Sequence, residues 1–247
     1  MKNTLALVLI VLGSSGAFAY SENDLMKFKA LNECAGCDLS EADLSKAVLS
    51  GANLKGTNLS GANLSKTNLN GANIIGANLS GANLSKASLE NADLENADLT
   101  KADLTYAVLS TVNLLASFDQ AKIFAANLSG ANLREATLKG TYLFAVDLSG
   151  ANLSAANLSG VRLMYGKLNF ANLNRANLSK ANFNRANLFG ANLSKANLSG
   201  ANLYKANLGS ANLSDTDLTT SKLKEVNLEN AIFCRTQFPW GEVNDGC

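Results

Sequence analysis

The 247-residue chain has no histidine, one proline and one tryptophan, and only 6% of its residues are aromatic. The missing histidine removes the side chain that most often serves as general base and metal ligand near neutral pH. Serines are abundant, but they recur as letters of a repeat, and none has an evident base or orienting partner for nucleophilic catalysis. A conventional mixed core of this size would carry more large aromatics and several prolines. Here Pro239 and Trp240 stand side by side near the C-terminus. The bias points to a repeat.

Long apolar runs are scarce as well. Leu5 to Leu12 is unbroken, follows Lys2 and precedes Ala17-Phe18-Ala19. A positive residue, a short apolar run and a small-x-small site predict a secretory signal peptide over 1–19, cleaved between Ala19 and Tyr20. The run falls far short of the ~20 apolar residues that span a bilayer. No cysteine follows the site, which argues against a lipoprotein. The expectation is therefore export to a periplasm, thylakoid lumen or extracellular space, with no membrane insertion after cleavage. Cleavage removes one lysine and no acid, leaving 20 cations against 20 acids. A neutral chain is neither an electrostatic trap for nucleic acid nor a copy of its charge, so no nucleic-acid partner is expected.

What is abundant is a five-residue period. From Cys37 to Ala231 the chain reads small, Asn or Asp, Leu, then two variable residues. With the apolar residue taken as the centre, centres run every five residues from Leu39 to Leu114 and again from Phe118 to Phe233. Of 40 centres, 35 are Leu and the others are Ile74, Phe118, Ile123, Phe183 and Phe233. Two residues before each centre stands Ala, Gly, Ser, Thr, Val or Cys without exception. A large and a small inward column define a narrow tube, and the three remaining positions are polar and expected to face water. A helix would wind this stripe around its axis, because five is not a multiple of 3.6. A plain strand alternation fails because the period is odd. Between Leu114 and Phe118 the count drops to four. The small column continues through Ala116, Ala121 and Ala126, so the tube is expected to be continuous across this slip.

Ala-Asn-Leu-Ser-Gly and Ala-Asp-Leu-x-x in tandem resemble the pentapeptide-repeat family, over about residues 37–234. The resemblance implies an all-β, right-handed quadrilateral β-helix, with four pentapeptides to a square turn. That is about ten coils, and at a rise of ~4.8 Å per coil a rod ~48 Å long. The expected organisation is a signal peptide at 1–19, an N-terminal helical cap at 20–36, the repeat at 37–234 and a C-terminal cap at 235–247. Ser21 with Asp24 makes a capping-box-like helix start, and Leu25, Phe28 and Leu31 are expected to face the first coil. Phe233, Phe238, Pro239 and Trp240 supply bulk for a plug at the far end.

The four cysteines, Cys34, Cys37, Cys234 and Cys247, allow three disulfide connectivities. On the implied rod, cysteines at opposite ends cannot meet, since bridged Cα atoms lie within about 7 Å. "ECAGCDLS" and "FCRTQFPWGEVNDGC" resemble the cysteine-bearing ends of exported and thylakoid-lumen members, which implies a staple at each cap. Buried thiols remain the structural alternative. The functional alternative is a redox dithiol at Cys34 and Cys37, although Cys37 occupies the first small slot of the repeat and does not open a helix.

No metal or other cofactor is expected. Glu90, Asp93, Glu95, Asp98 and Asp103 fall on different sides of the square and wrap around the rod. Lys46, Lys66 and Lys86 are twenty apart and should stack on one corner as a basic ridge. Steps of twenty in the second register bring together Lys122, Tyr142 and Arg162, and beside them Phe124, Phe144 and Met164, with Tyr165 following. These outward positions hold mostly Asn, Ser, Lys or Gly elsewhere. Tyr, Phe, Met and Arg are types enriched at protein interfaces. The expected function is a non-enzymatic structural or interaction rod that binds a partner protein, or a second copy of itself, through its outer faces. Two alternatives are a DNA-mimicking topoisomerase inhibitor, as some members of the family are, and a thiol redox protein.

Overall fold

The structure, a computed structural model, describes residues 21–114, 116–118 and 121–247. The signal peptide expected at 1–19 lies outside the described residues.

The five-residue unit follows from its letters. The central residue and the small residue two before it are buried almost everywhere, as with Leu39 at 0% and Ala42 at 1% exposure. Between them the chain turns. The N–H of Ala42 donates to the carbonyl of Leu39 at 3.2 Å, and Glu41, third in that turn, has φ of 59°. This is the left-handed region that a type II turn demands at its third residue. The Asn or Asp before the centre is not merely a solvated letter. Its carboxamide or carboxylate accepts the backbone N–H two residues on, as from Ser60 to Asn58 at 3.2 Å. It also hydrogen-bonds its counterpart twenty residues away, as Asn78 Nδ2 does to Asn58 Oδ1 at 3.3 Å. Most of this column is therefore half-buried, a refinement of the expectation that it faces water.

Successive turns stack as a solenoid. Parallel bridges join Asp38 to Asn58, Asn58 to Asn78, and so on at five-residue intervals from Glu33 to Gln237. Most central N–H groups donate to the next turn, as Leu39 does to Asn58 O at 2.8 Å, and Asn58 N–H returns a bond to Cys37 O at 2.8 Å. Buried hydroxyls in the small column are satisfied the same way; Thr67 Oγ1 donates to Leu44 O at 2.9 Å.

The slip shortens a corner and leaves the sides whole. Asp98 bridges Ser117, Asp103 bridges Lys122, Val108 bridges Asn127 and Asn113 bridges Asn132, each pair nineteen residues apart. From Ser117 to Thr137 the interval is twenty again. Only one residue separates central Leu114 from small Ala116, where every other turn has two, so the residue is lost between the two buried columns and not from a side. Ala116 and Phe118 remain buried, and the core passes through without a gap.

At the N-terminal end lies α1 (Glu22–Leu31). Ser21 Oγ accepts the N–H of Asp24 at 3.2 Å, and Asp24 Oδ2 accepts the N–H of Asp38 at 3.0 Å, which ties the helix to the first turn. Leu25 and Phe28 are buried, but Leu31 is 61% exposed. Leu31 thus does not face the first coil; six residues on from Leu25, it lies about 120° round the helix from it, off the buried face. At the other end β1 (Thr236–Phe238) and β2 (Gly241–Val243) form an antiparallel hairpin. Phe238 is buried, while Trp240 stacks on it with centroids 4.8 Å apart and stays 67% exposed. The plug is incomplete. Leu223, Val226 and Leu228 are only partly buried, and the N–H groups of Leu223 and Leu228 meet no backbone carbonyl among the described residues. The reason is reach: Phe233 N–H is capped by Asp245 O at 2.8 Å, so the tail lies over one side of the last turn only.

Disulfides join Cys34 to Cys37 and Cys234 to Cys247, with Cα separations of 5.2 and 4.9 Å.

Candidate interaction surface

One corner of the solenoid is unlike the others. The backbone ladder identifies it: Lys46 N–H donates to Ser65 O, Lys66 to Ser85 O, Lys86 to Thr105 O and Tyr106 to Phe124 O. It continues from Ala125 to Phe144 O, Ala145 to Met164 O and Tyr165 to Asn184 O. The lysine ridge and the aromatic patch therefore share one corner, end to end. Steps of twenty hide this, because twenty residues before Phe124 is Leu104, a core residue. Across the shortened turn the step is nineteen, and it leads to the corner that holds Tyr106.

The rings on this corner touch in series. Tyr106 meets Phe124 edge-on with centroids 5.6 Å apart, Phe124 stacks on Phe144 at 5.5 Å, and Phe144 meets Tyr165 at 5.4 Å. Spacings of 4.5–7 Å are the favourable range for aromatic pairs. Arg185 Nη1 donates to Tyr165 Oη at 3.3 Å and closes the row. On the adjoining side the Arg162 guanidinium lies over the Tyr142 ring at 4.3 Å. Met164 is half-buried beside Tyr165, and Lys122 projects into solvent. Tyr106, Phe124, Tyr142 and Tyr165 are 40–52% exposed. Of the patch expected from the sequence, the structure joins Phe124, Phe144 and Tyr165 in one row and Tyr142 with Arg162 in a second contact. Steps of twenty do not reach Tyr106, across the shortened turn; Arg185 stands one step beyond Tyr165, past the patch drawn from the sequence, and a separate exposed pair, Phe170 and Phe189, lies on another corner with centroids 5.7 Å apart.

The other candidates do not converge. Asp93, Asp98 and Asp103 each accept the backbone N–H two residues on, at 3.1, 2.9 and 3.0 Å, so these acids serve their own turns. Among the described residues no group of His, Cys, Asp and Glu is placed to hold a metal. Cys34 and Cys37 are buried as well as bonded, at 0% and 5% exposure. An open hollow of about 340 Å³ lies at the shortened corner, lined by Glu95, Asn113, Asn132, Arg134 and Glu135. Its charged rim is an exposed ion pair, Arg134 with Glu135 at 3.0 Å. Asp147 is half-buried; burial raises its pKa, but hydrogen bonds from Ser149 and the nearby Lys167 outweigh this and leave it below the ordinary value. It lies on the side that follows the aromatic corner, in the column that joins Asn127, Asp147 and Lys167.

The repeat is recognised by a family model described as pentapeptide repeats (8 copies), which matches residues 37–76 and 77–114 and then, in overlapping stretches, 121–238. The interruption coincides with the shortened turn. No curated protein matches the chain. Among solved structures, the chain is similar to HetL, a pentapeptide repeat protein involved in heterocyst differentiation regulation from the cyanobacterium Nostoc, at 34% identity and a TM-score of 0.74, over 89% of this chain and 97% of that one. It is also similar to a pentapeptide repeat protein from the Arabidopsis thaliana thylakoid lumen, at 25% identity over 57% of this chain and 68% of that one, with a TM-score of 0.17. QnrB1, a plasmid-mediated fluoroquinolone resistance protein, matches at 19% identity over 62% of this chain and 90% of that one, with a TM-score of 0.40. By the reach of the family model and the likeness to HetL, the chain belongs to the pentapeptide-repeat family.

Proposed function

We propose that this chain is a non-enzymatic interaction rod of an exported compartment, which docks a partner protein on the corner that runs through Phe124 and Phe144. The observation that carries the reading is the row of partly exposed rings from Tyr106 to Tyr165 on positions the repeat mostly fills with Ser, Thr, Lys, Gly or Asn. Clustered aromatics with adjacent arginines are the usual anchors of protein interfaces. HetL is involved in regulating differentiation, and the likeness supports a regulatory role exercised through binding. Export is supported by the signal-like stretch over 1–19 and by four cysteines that are all paired.

The alternatives are weaker on physical grounds. A surrogate for DNA needs a strongly acidic surface, whereas the differentiated corner here carries cations. A thiol redox protein needs an accessible sulfur, whereas Cys34 and Cys37 are buried. The test is co-purification of the mature chain from its native compartment against Phe124→Ser/Phe144→Ser. Both residues stand at the turn position most often filled by Ser, so the change leaves the repeat intact. A partner retained by the parent chain and lost by the double variant supports the reading; equal recovery with both removes it.

A further inference from the structure

The geometry points to an acidic partner: a protein or peptide with an apolar anchor flanked by carboxylates, held edge-on along this corner. The inference rests on the docking reading above and adds the chemistry of what docks.

Charge is the first observation. On this corner and its adjoining side, Lys46, Lys66 and Lys86 precede the rings, and Lys122, Arg162 and Arg185 flank them. None of the six forms an ion pair among the described residues; the pairs present are Arg134–Glu135, Lys167–Asp147, Lys205–Glu225 and Arg235–Asp215. The acids of this corner and of the side before it are Asp43 and Asp103, and both are engaged by the N–H groups of Ser45 and Thr105; on the side after it Asp147 is paired with Lys167 and adds no net charge. A net excess of four cations is thus collected on one edge of a chain whose overall charge is only +1. From Lys46 to Arg185 the edge covers seven coil steps, roughly 34 Å at ~4.8 Å per step.

Ring geometry is the second. Phe124 and Phe144 lie with planes 4° apart and stacked on each other, and Tyr142 has its face under Arg162. Faces already engaged are not free to stack on bases or sugars, as single-stranded nucleic acids require. What the row offers outward is ring edges and apolar rims, which suit side chains of a protein surface.

The same charges decide against a second copy on this edge. A two-fold contact that runs the rods antiparallel sets Lys46, Lys66 and Lys86 against Arg185 and its neighbours; a parallel one sets each lysine against itself. Both juxtapose like charges, which suppress a wrong partner.

The test uses the full mature chain with defined probes: fluorescent poly(glutamate-tyrosine) copolymer, poly-glutamate of matched length, heparin and oligothymidylate, read by anisotropy at low and at physiological salt. The expected order is copolymer tighter than poly-glutamate, and both tighter than heparin or oligothymidylate. Binding should weaken with salt. Lys46→Asn/Lys66→Asn/Lys86→Asn, at turn positions where Asn accepts the left-handed backbone, should weaken the copolymer on the order of tenfold at low salt. Phe124→Ser/Phe144→Ser should weaken it by at least about thirtyfold. Heparin or oligothymidylate binding as tightly as the copolymer, salt-independent binding, or copolymer affinity unmoved by the lysine variant would each overturn the assignment. The salt arm needs no variant, so it holds even where a variant folds less well. A partner co-purified through Phe124 and Phe144 that the lysine variant retains in full leaves the docking reading standing and removes the acidic class alone.

Discussion

Phe124 and Phe144 lie on adjacent turns with parallel rings, centroids 5.5 Å and planes 4° apart, on an edge where Phe124 is exposed and Phe144 half-buried. Aromatic pairs of this kind contribute about 0.5–1.5 kcal/mol beyond area burial. Phe124→Ser/Phe144→Ser is therefore expected to lower stability by about that much while the far-ultraviolet spectrum stays that of the parent. Equilibrium denaturation checks this. A loss several times larger would mean that the rings hold the solenoid together and are not a surface feature.

The core is set by different residues. Leu158 is fully buried in the central column, and Leu158→Ala is expected to cost about 2–5 kcal/mol. Ser159→Ala, one residue on, loses a hydroxyl at a turn whose N–H bond to Asn157 is made by the backbone, so it should cost under about 0.5 kcal/mol. Denaturation of the two variants side by side measures the contrast.

The regular part of this fold is legible in the letters, and the differentiated part is legible only once the turn length is known. Leucine every five residues with a small residue two before it marks both inward columns, and Leu39, Ala42 and their successors are buried accordingly. The asparagine column looks like solvent-facing polarity, because its role is a backbone hydrogen bond that composition does not reveal. In the sequence, the edge through Phe124 reads as two separate features, a lysine ridge and an aromatic patch. They join only across a nineteen-residue step, and the sequence alone does not say whether a missing residue belongs to a side or a corner. Leu31 and Trp240 are apolar and near the ends, which suggests capping. Their exposure is fixed by where α1 and the hairpin turn, which a repeat pattern does not encode.

The shortened turn makes a prediction of its own. Inserting one Asn between Leu115 and Ala116 gives this turn the two residues that the others have and restores a twenty-residue step. It should preserve the fold and leave the melting temperature close to that of the parent. Inserting the same residue between Asn152 and Leu153 puts an extra residue in a side, inverts the facing of Leu153 and its neighbours and should unfold at least that turn. Circular dichroism and protease resistance distinguish the two.

Cys234 and Cys247 close a short loop around the hairpin that carries the chain's one tryptophan. Cross-links of loops this size stabilise by about 3 kcal/mol in the chain-entropy account. Cys234→Ser/Cys247→Ser is expected to release Trp240 from Phe238 and change its fluorescence at temperatures where the far-ultraviolet spectrum is still native. Simultaneous loss of both signals would show that the hairpin is not a separable element.

The same hairpin should respond to acid. Arg235 holds Asp215 with two hydrogen bonds, 2.6 and 2.9 Å, and keeps its carboxyl below the ordinary value of 3.8. A depressed acid contributes stability that is present above its unfolded value and lost as pH falls through the lower, folded one. Trp240 fluorescence is therefore expected to shift as pH falls below 3.8, and Asp215→Asn should remove that step. A titration that is the same in both proteins would assign the acid response elsewhere.

The central claim is that the ring-bearing corner is where this rod meets its partner. Its most direct test places a photo-crosslinking benzoylphenylalanine at Phe144 in the full chain, expressed in its native cells, and at Ser159 on a different corner as the reference. A single discrete adduct is expected from position 144, absent from position 159 and lost when Phe124→Ser is added. Equal labelling from both positions, or none from position 144, would contradict it.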